Sequence, residues 1–320
     1  MTWLVTGGAG YIGAHVVHAL RAAGLATVVI DDLSSGIAGR LPADVPLIRM
    51  DVRDGARVCD VFGSYRPAGV LHLAARKDVA ESTVHPLRYY RDNLDGLRSV
   101  LGATVRHQVP AVLFSSSAAV YGTPNRSPVT EDDPTEPENP YGRTKLIGEW
   151  MLRDAVAGGR FAWAALRYFN VAGAATPELA DRGGTNLVPR LLHAAARGVP
   201  ATVFGTDYPT PDGSAIRDYI HVADIADAHV RVALALAGGE IAAEVLNIGR
   251  GQGSSVLEMV QAVGRALGRD LPYTGAPRRP GDPAAVVACA DRIADRLGWR
   301  ARYDLDSIVA SAAGRELIAI

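Results

Sequence analysis

Residues 2–31 read TWLVTGGAGYIGAHVVHALRAAGLATVVID, and this stretch decides the fold of the 320-residue chain. A short apolar run at Trp3–Thr6 leads into the glycine pattern Gly8-x-Gly10-x-x-Gly13, and a second apolar run follows at Thr27–Asp31. The intervening segment Ile12–Ala23 has the length and composition of a helix, which gives the order strand, glycine turn, helix, strand. Such a turn lets backbone amides and a helix N-terminus approach a pyrophosphate, so it predicts a dinucleotide site.

Acidic residues at strand ends refine this prediction. Asp31 ends the second predicted strand, where a carboxylate can accept hydrogen bonds from a ribose diol. The same charge repels the additional phosphate of NADP, so NAD is the expected cofactor. Asp32 follows directly, and Asp51, at the end of the third predicted strand, is expected to contact adenine or its ribose.

The first half of the chain alternates short aliphatic runs with helix-length segments, which predicts a doubly wound parallel α/β sheet of the Rossmann type. The further predicted strands are Leu47–Met50, Gly69–Leu73, Ala111–Ser115 and Ala162–Leu166, and the further predicted helices are Gly55–Ser64, Pro86–Arg106 and Tyr141–Ala157. We expect residues 1–170 to form the NAD-binding domain, with segments near 218–249 returning to it. Residues 171–320 are expected to form a smaller, discontinuous C-terminal α/β substrate-binding lobe.

A clear local signal in the second half is Ser255-x-x-Glu258, which resembles a capping box at the start of a helix that runs to about Gly268. Loops rich in proline and glycine at 207–213 and 277–283 carry charged and aromatic residues. Such loops favour binding functions, because they lie on the surface of a rigid scaffold. The substrate site is therefore expected in the cleft between the lobe and the sheet.

The candidate catalytic group comprises Ser117, Tyr141 and Lys145. Tyr141 and Lys145 are one helical turn apart, so they share a helix face. An ammonium group near a phenol stabilises the phenolate, which lets the tyrosine act as base or acid near neutral pH. Ser117 follows a predicted strand and can hydrogen-bond the same substrate hydroxyl. A tyrosine–lysine pair at this spacing is also common on ordinary helices, and it is the glycine turn upstream that favours catalysis.

Composition narrows the class of protein further. A net charge of −1 gives no electrostatic case for nucleic acid or an anionic membrane. Cys59 and Cys289 are far apart and form no metal or redox motif, so two reduced thiols and no metal are expected. The sequence shows no signal peptide and no apolar run of membrane-spanning length, which favours a cytoplasmic protein.

Taken together, these residues resemble the extended short-chain dehydrogenase/reductase family and, within it, the 4-epimerases that act on UDP-glucose and UDP-galactose. The resemblance runs over nearly the full chain. It rests on GGAGYIGAH (7–15), HLAARKDVAES (72–82), PLRYYRDN (86–93), SSSAAVYG (115–122), PYGRTK (140–145), LRYFNVAGA (166–174), TNLVP (185–189), DYPTPDGSAIRDYIHVADIADAH (207–229) and APRRPGD (276–282). The block at 207–229 is the most specific to this subgroup.

The resemblance implies roles by position. It makes Ser117, Tyr141 and Lys145 the catalytic triad and places Tyr168 beside the nicotinamide. The implied NAD-binding residues are Gly7, Gly10, Tyr11, Ile12, Gly13, Asp31, Asp32, Asp51, Val52, Leu73, Ala74, Ala75, Lys77, Asn93, Ser115, Tyr141, Lys145 and Tyr168. The implied UDP-sugar-binding residues are Lys77, Ser117, Tyr141, Asn170, Asn186, Leu187, Val203, Phe204, Arg217, Arg279, Asp282 and Val286. Within that set, Arg217 and Arg279 hold the diphosphate and Asp282 the uridine ribose.

The implied activity is that of an isomerase: epimerisation at carbon 4 of a UDP-hexose through a transient 4-keto sugar, with the NAD retained. A 4,6-dehydratase is disfavoured because Ser117-Ala118-Ala119 lacks the acidic pair that such enzymes carry there. A nucleotide-sugar dehydrogenase and a non-catalytic NAD-binding protein remain alternatives. Val286 stands where some relatives have tyrosine, so N-acetylated UDP-sugars are an alternative substrate. The resemblance also implies a homodimer, with helical stripes at Leu94, Leu97 and Leu101 and at Leu146, Trp150 and Arg153 as candidate interface.

Overall fold

The computed structural model describes residues 1–159, 161–279, 281–315 and 318. The strands are β1 (Thr2–Thr6), β2 (Ala26–Asp31), β3 (Leu47–Arg49), β4 (Gly69–His72), β5 (Ala111–Ser117), β6 (Ala162–Tyr168), β7 (Asn170–Ala172), β8 (Ala201–Phe204), β9 (Ile216–His221), β10 (Ala243–Ile248), β11 (Gly253–Ser255), β12 (Tyr273–Ala276) and β13 (Ala285–Val286). The helices are α1 (Tyr11–Ala22), α2 (Gly55–Tyr65), α3 (Val79–Val84), α4 (Pro86–Tyr89), α5 (Asp95–Arg106), α6 (Pro140–Gly159), α7 (Leu187–Arg197), α8 (Val222–Gly238), α9 (Val256–Leu267), α10 (Asp291–Leu297) and α11 (Leu305–Ala312).

The main sheet has seven parallel strands in the order β10-β6-β5-β4-β1-β2-β3. Helices α1, α8 and α10 pack on one face, and α2, α5 and α6 pack on the other. Its strands are aliphatic runs without polar alternation because both faces are buried. The strand order reverses between β1 and β4, and ligands of such sheets bind at this point, outside the carboxyl ends of the strands. The predicted α/β fold is confirmed.

The C-terminal lobe contains two small sheets. Strand β9 pairs with β11, β13 and β7, and β8 pairs with β12. Helices α7, α9 and α11 supply its core. The Ser255 hydroxyl accepts from the amide of Glu258 at 2.9 Å, and the Glu258 carboxylate accepts from the amide of Ser255 at 2.7 Å, so the predicted capping box is present. Gly268 ends this helix in the left-handed conformation, as the sequence predicts.

The predicted helix over 86–106 is interrupted. Residues Tyr90–Leu94 form a π-helical turn between α4 and α5. This wider turn directs Asn93 inward, where its side chain bonds the segment after β4. Such turns are common at functional sites, and their cause is a tertiary contact that helical periodicity does not show. Sequence reasoning missed a short helix, α3, which is capped by Asp78, whose carboxylate accepts from the amide of Glu81.

Replacing Gly148 with Ala is expected to destabilise the fold. A Cβ atom there would lie 2.5 Å from Cζ of Phe114 in β5, so α6 or the ring must shift. Such overpacking costs about 1–3 kcal/mol in unfolding free energy. Gly102→Ala on α5 is the matched control, because nothing lies within 4 Å of its new Cβ. The control should gain about 0.5–1 kcal/mol through helix propensity. Urea unfolding measures both, and equal effects would contradict the contact.

Candidate active site

The glycine turn between β1 and α1 is too crowded for side chains. A Cβ on Gly7 would lie 2.7 Å from the amide nitrogen of Ala74, and Gly7 has a positive φ of 72°. A Cβ on Gly13 would lie 2.1 Å from the carbonyl oxygen of Gly7. Helix α1 begins after Gly10 with no side-chain cap and no acidic residue in its first turn. Its N-terminal amides are therefore free of side-chain caps and suited to an anion.

Asp31 lies beside this turn. Its carboxylate accepts hydrogen bonds from the amides of Ala9 at 2.9 Å and Leu33 at 2.8 Å. Burial raises the pKa of Asp31, and these two amides oppose that effect. Asp32 is exposed and accepts instead from the amide and hydroxyl of Ser34. Asp31 is thus the better placed of the two predicted ribose ligands, since it directly contacts the glycine turn.

Asp51 is paired with a neighbour that sequence reasoning missed. The Arg53 guanidinium holds its carboxylate and lowers the pKa of Asp51. Arg53 also donates to Asp92 at 2.7 Å, and Asp92 accepts from Arg76 at 2.5 Å. These ion pairs connect the carboxyl end of β3 to the segment after β4. Val52, next to Asp51, is half-buried.

The predicted cofactor residues Leu73, Ala74, Ala75 and Lys77 follow the carboxyl end of β4. Asn93 fixes this segment: its Oδ1 accepts from the Arg76 amide at 2.7 Å, and its Nδ2 donates to the Arg76 carbonyl and to Thr144. Both amide donors of Asn93 are therefore used within the protein. The geometry gives Asn93 a positioning role at this site. Lys77 is exposed, with its Nζ 5.9 Å from the centre of the Tyr11 ring.

Tyr11 and Ile12 occupy the first turn of α1. The Tyr11 hydroxyl donates to the carbonyl of Gly173 at 2.6 Å and ties the glycine turn to the segment after β7. Burial raises the pKa of this phenol well above its usual value. Since the hydroxyl already donates to Gly173, Tyr11 can contact a cofactor through its backbone.

The three candidate catalytic residues meet at the carboxyl end of β5. The Lys145 ammonium donates to the carbonyl of Ser115 at 2.7 Å and lies 5.8 Å from the centre of the Tyr141 ring. Burial lowers the pKa of Lys145 to about 7. Burial raises the pKa of Tyr141, and a hydrogen bond with the Ser117 hydroxyl acts in the opposite direction. The predicted group is therefore assembled in one place, with Lys145 buried and Ser117 and Tyr141 partly exposed.

The predicted lowering of the Tyr141 pKa is not found in the ligand-free protein. Burial disfavours the charged form of both side chains, since neither phenolate nor ammonium is hydrated there. Lys145 consequently loses its charge near neutral pH and contributes little to stabilising the phenolate of Tyr141. Activation of Tyr141 thus calls for additional positive charge, which a bound ligand can bring.

Tyr168 ends β6, where it pairs with Ser117 of β5, and its side chain contacts that of Ser115. Its hydroxyl lies 2.6 Å from Nε2 of His229, whose Nδ1 lies 2.8 Å from the carbonyl of Ile225. Nδ1 must carry the proton for that contact, so the Tyr168 hydroxyl donates to Nε2. Burial raises the pKa of Tyr168 and lowers that of His229 to about 4, which keeps the pair neutral. Sequence reasoning missed His229, although it closes the quoted block at 207–229.

The lobe contributes a cluster of charges opposite the sheet. Arg217 on β9 forms an ion pair with Asp282. The guanidinium carbon of Arg279 lies 4.0 Å from the centre of the Phe204 ring. Val203 is wholly buried in the lobe core, so its side chain cannot reach a ligand and only its backbone remains for the predicted contact.

Other predicted substrate residues lie around this cluster. Asn170 is exposed at the start of β7. Asn186 precedes α7 and donates to Asp181 at 2.6 Å, and Leu187 is the first residue of α7. Val286 pairs with Arg217 and packs in a cluster that includes Leu146 of α6. It therefore lies between the arginine cluster and the catalytic helix.

Comparison with known proteins agrees with this arrangement. The sequence pattern of the NAD dependent epimerase/dehydratase family matches residues 3–249. A UDP-glucose 4-epimerase of Azospirillum brasilense is 48% identical over 323 residues, covering 98% of this chain and 91% of the relative. The crystal structure of a UDP-glucose-4-epimerase from Stenotrophomonas maltophila, with bound NAD and formylated UDP-arabinopyranose, has a TM-score of 0.93 and 40% identity, covering 98% and 97% of the two chains. A Brucella ovis UDP-glucose 4-epimerase in complex with NAD has a TM-score of 0.93, 42% identity and the same coverage.

The part of the chain that the structure describes lacks both a metal-binding cluster and a membrane-spanning helix. Among residues 1–159, 161–279, 281–315 and 318, no group of three or more His, Cys, Asp or Glu is placed to hold a metal ion. In the same part of the chain, no helix combines the length and apolarity that a membrane span requires.

Lys145→Met tests the low pKa of this lysine. Folding lowers that pKa from 10.5 to about 7, so between these values the unfolded chain binds more protons here than the folded one. The wild-type residue is thus most destabilising below pH 7, and this penalty disappears as pH rises toward about 10. We expect Lys145→Met to be more stable than wild type in acid, with the difference shrinking above pH 7.

Urea unfolding of the ligand-free proteins at about pH 6, 8 and 10 measures this difference. Lys77→Met, which removes an exposed lysine, is the control. A stability difference between wild type and Lys145→Met that stays constant across this range would contradict the burial of a titrating ammonium.

Proposed function

The chain belongs to the NAD dependent epimerase/dehydratase family, and from this membership we propose that it epimerises carbon 4 of a UDP-hexose, interconverting UDP-galactose and UDP-glucose. The reaction passes through a transient 4-keto sugar, and the NAD is retained. The observation that carries the proposal is the Ser117–Tyr141–Lys145 cluster at the carboxyl end of β5, in which the buried Lys145 ammonium lies beside the partly exposed Tyr141 ring.

The residues of the chain fit NAD. The turn around Gly7 and Gly13 admits no Cβ, so a pyrophosphate can approach its backbone closely. The uncapped start of α1 offers amide donors, and Asp31 offers a carboxylate to a ribose. When bound, NAD supplies the hydride acceptor and donor for carbon 4 of the sugar. The proposed contacts along the nicotinamide half are Lys77, Ser115 and Tyr168.

Tyr141 is the proton-transfer residue in this proposal. Its phenolate takes the proton of the 4-hydroxyl, and its phenol returns a proton when the ketone is reduced. Ser117 hydrogen-bonds the same oxygen and holds it near Tyr141. Lys145, whose Nζ lies 5.8 Å from the centre of the Tyr141 ring, is close enough to exchange charge state with the phenol during the reaction. Its pKa of about 7 lets it share in moving the proton.

Epimerisation requires the keto sugar to present its other face while the nucleotide stays bound. Arg217 and Arg279 are the proposed anchors for the diphosphate, because planar guanidinium groups bind phosphate oxygens in pairs. Asp282 and Asn186 are the proposed polar contacts of the nucleotide. A sugar held through a distant diphosphate can turn over without dissociating, which keeps the ketone near the cofactor.

A 4,6-dehydratase would need an acid beside the sugar to expel water from carbon 6. The stretch Ser117-Ala118-Ala119 carries hydroxyl and methyl groups only, so the site offers no such acid there. A dehydrogenase would exchange its cofactor at every turnover, and a non-catalytic NAD-binding protein would have no use for the assembled Tyr141–Lys145 pair. Epimerisation is therefore the reaction that these residues support best.

A homodimer and a cytoplasmic location are part of the proposal. The predicted interface stripes proved wrong in part, because Leu97, Leu101 and Leu146 are buried in the protein's own core. Large apolar side chains are exposed nearby on α3, α4 and α6, namely Val84, Leu87 and Trp150. These favour a second copy as partner. Both cysteines are free thiols, which suits a reducing compartment.

Product analysis without added NAD tests the function. Purified protein incubated with UDP-galactose is expected to yield UDP-glucose, since the cofactor is retained. Tyr141→Phe should lower kcat about 10²–10⁴-fold, because the proton acceptor is lost. Tyr65→Phe, which removes an exposed hydroxyl, is the control. Turnover only when NAD is supplied, with a keto product, would indicate a dehydrogenase instead.

Val286→Tyr tests the alternative N-acetylated substrate. A tyrosine beside Arg217 and α6 takes up space that an N-acetyl group at carbon 2 would need. If the wild type epimerises UDP-GlcNAc, we expect the variant to lose that activity about tenfold or more while keeping activity on UDP-galactose. Equal losses on both sugars would refute a role for this position in substrate choice.

A further inference from the structure

Two arginines from different elements share one aromatic ring in the lobe. Phe204 ends β8, and the guanidinium carbon of Arg279 lies 4.0 Å from the centre of its ring. The guanidinium carbon of Arg190, in the first turns of α7, lies 5.5 Å from the same centre. The ring therefore fixes two flexible side chains that would otherwise be dispersed in solvent.

The charges of this cluster are not balanced by the protein. Asp282 is ion-paired with Arg217, which accounts for one positive charge. In the part of the chain that the structure describes, neither Arg190 nor Arg279 has a carboxylate within ion-pair distance. Burial and the neighbouring charge of Arg190 lower the pKa of Arg279. Two like charges held over one ring repel each other, so the arrangement favours an anion that binds both.

The helix backbone next to Arg190 also favours an anion. Helix α7 begins at Leu187, and the side chain of Asn186 donates to Asp181 instead of capping the helix. The first turn carries no acidic residue. Because residues four apart lie on the same helix face, Arg190 is on the face of Asn186. Its guanidinium and the free amides of α7 thus border the same region.

We infer that Arg190 is a third arginine of the substrate site and binds the diphosphate of the nucleotide-sugar, an inference that rests on the proposed function. A pyrophosphate diester carries two negative charges. Arg217, one of the two proposed anchors, shares its charge with Asp282, so Arg190 supplies, with Arg279, the remaining positive charge that matches it. The ring holds both guanidinium groups close together, where their N–H groups can form bidentate bonds to phosphate oxygens.

Calorimetric titration of the holoenzyme with uridine, UMP and UDP tests this inference. Arg190→Gln is expected to weaken UDP binding about tenfold to a hundredfold, as loss of a charge-assisted hydrogen bond does. Uridine binding should change less than about twofold, because uridine has no phosphate. Arg190→Lys keeps the charge and should recover part of the lost affinity. Arg197→Gln, an exposed arginine in the last turn of the same helix, is the matched control.

The outcomes separate the possible failures. Equal weakening of uridine and UDP by Arg190→Gln would mean that Arg190 only supports the Phe204 ring, and unchanged UDP binding would mean that it does not touch the ligand. Either result overturns the inference and leaves the proposed function standing. A wild-type holoenzyme that binds no UDP would overturn both. If Arg190→Gln fails to fold, Arg190→Lys decides: UDP binding that is weaker than wild type with uridine binding unchanged supports the contact, because lysine cannot form the bidentate bonds, and UDP binding equal to wild type contradicts it.

Discussion

The candidate site depends on the close packing of helix α6 against strand β5. Gly148 lets the helix backbone approach Phe114, and Glu149 accepts a 2.5 Å hydrogen bond from the Ser116 hydroxyl. The buried Arg167 guanidinium on β6 donates to both oxygens of Glu149. A buried ion pair is costly unless its geometry and hydrogen bonds are satisfied, so only one register of α6 is acceptable. That register places Tyr141, at the start of the helix, against the carboxyl end of β5.

The two halves of the site differ in their electrostatics for a physical reason. At the carboxyl ends of β4 to β6, burial disfavours the charged forms of one lysine and two histidines: it lowers the pKa of Lys145 to about 7 and those of His72 and His229 to about 3 and 4. In such a low-dielectric region, one added charge has a large effect on the proton affinity of a phenol such as Tyr141. Arg190, Arg217 and Arg279 lie by contrast in the lobe, where they are partly or fully exposed, so their charges are hydrated.

The sequence predicted the elements whose signals are local. Strands buried on both faces have continuous aliphatic runs, the glycine turn has a fixed spacing, and Tyr141 and Lys145 are one turn apart, so each could be recognised from neighbouring residues. Features that depend on distant partners could not. Asn93 turns inward because of Arg76 and Thr144, and Glu149 is buried because Arg167 meets it. The leucine stripe at 97 and 101 fits an interface or a core equally well by periodicity, and the structure places it in the core.

The connection between sheet and lobe bears on how a sugar could be inverted. The carboxylate of Asp218 on β9 accepts from the amides of Arg250, Gly251 and Ala288. The first two follow β10 of the main sheet, and the third follows β13 of the lobe. Because Asp218 is fully buried, separating these segments would leave its carboxylate without hydrogen-bond donors, which costs free energy. The lobe is therefore held firmly against the sheet at this point. For the proposed epimerisation, a lobe held in this way favours rotation of the sugar about its link to the proposed diphosphate anchors over movement of the lobe.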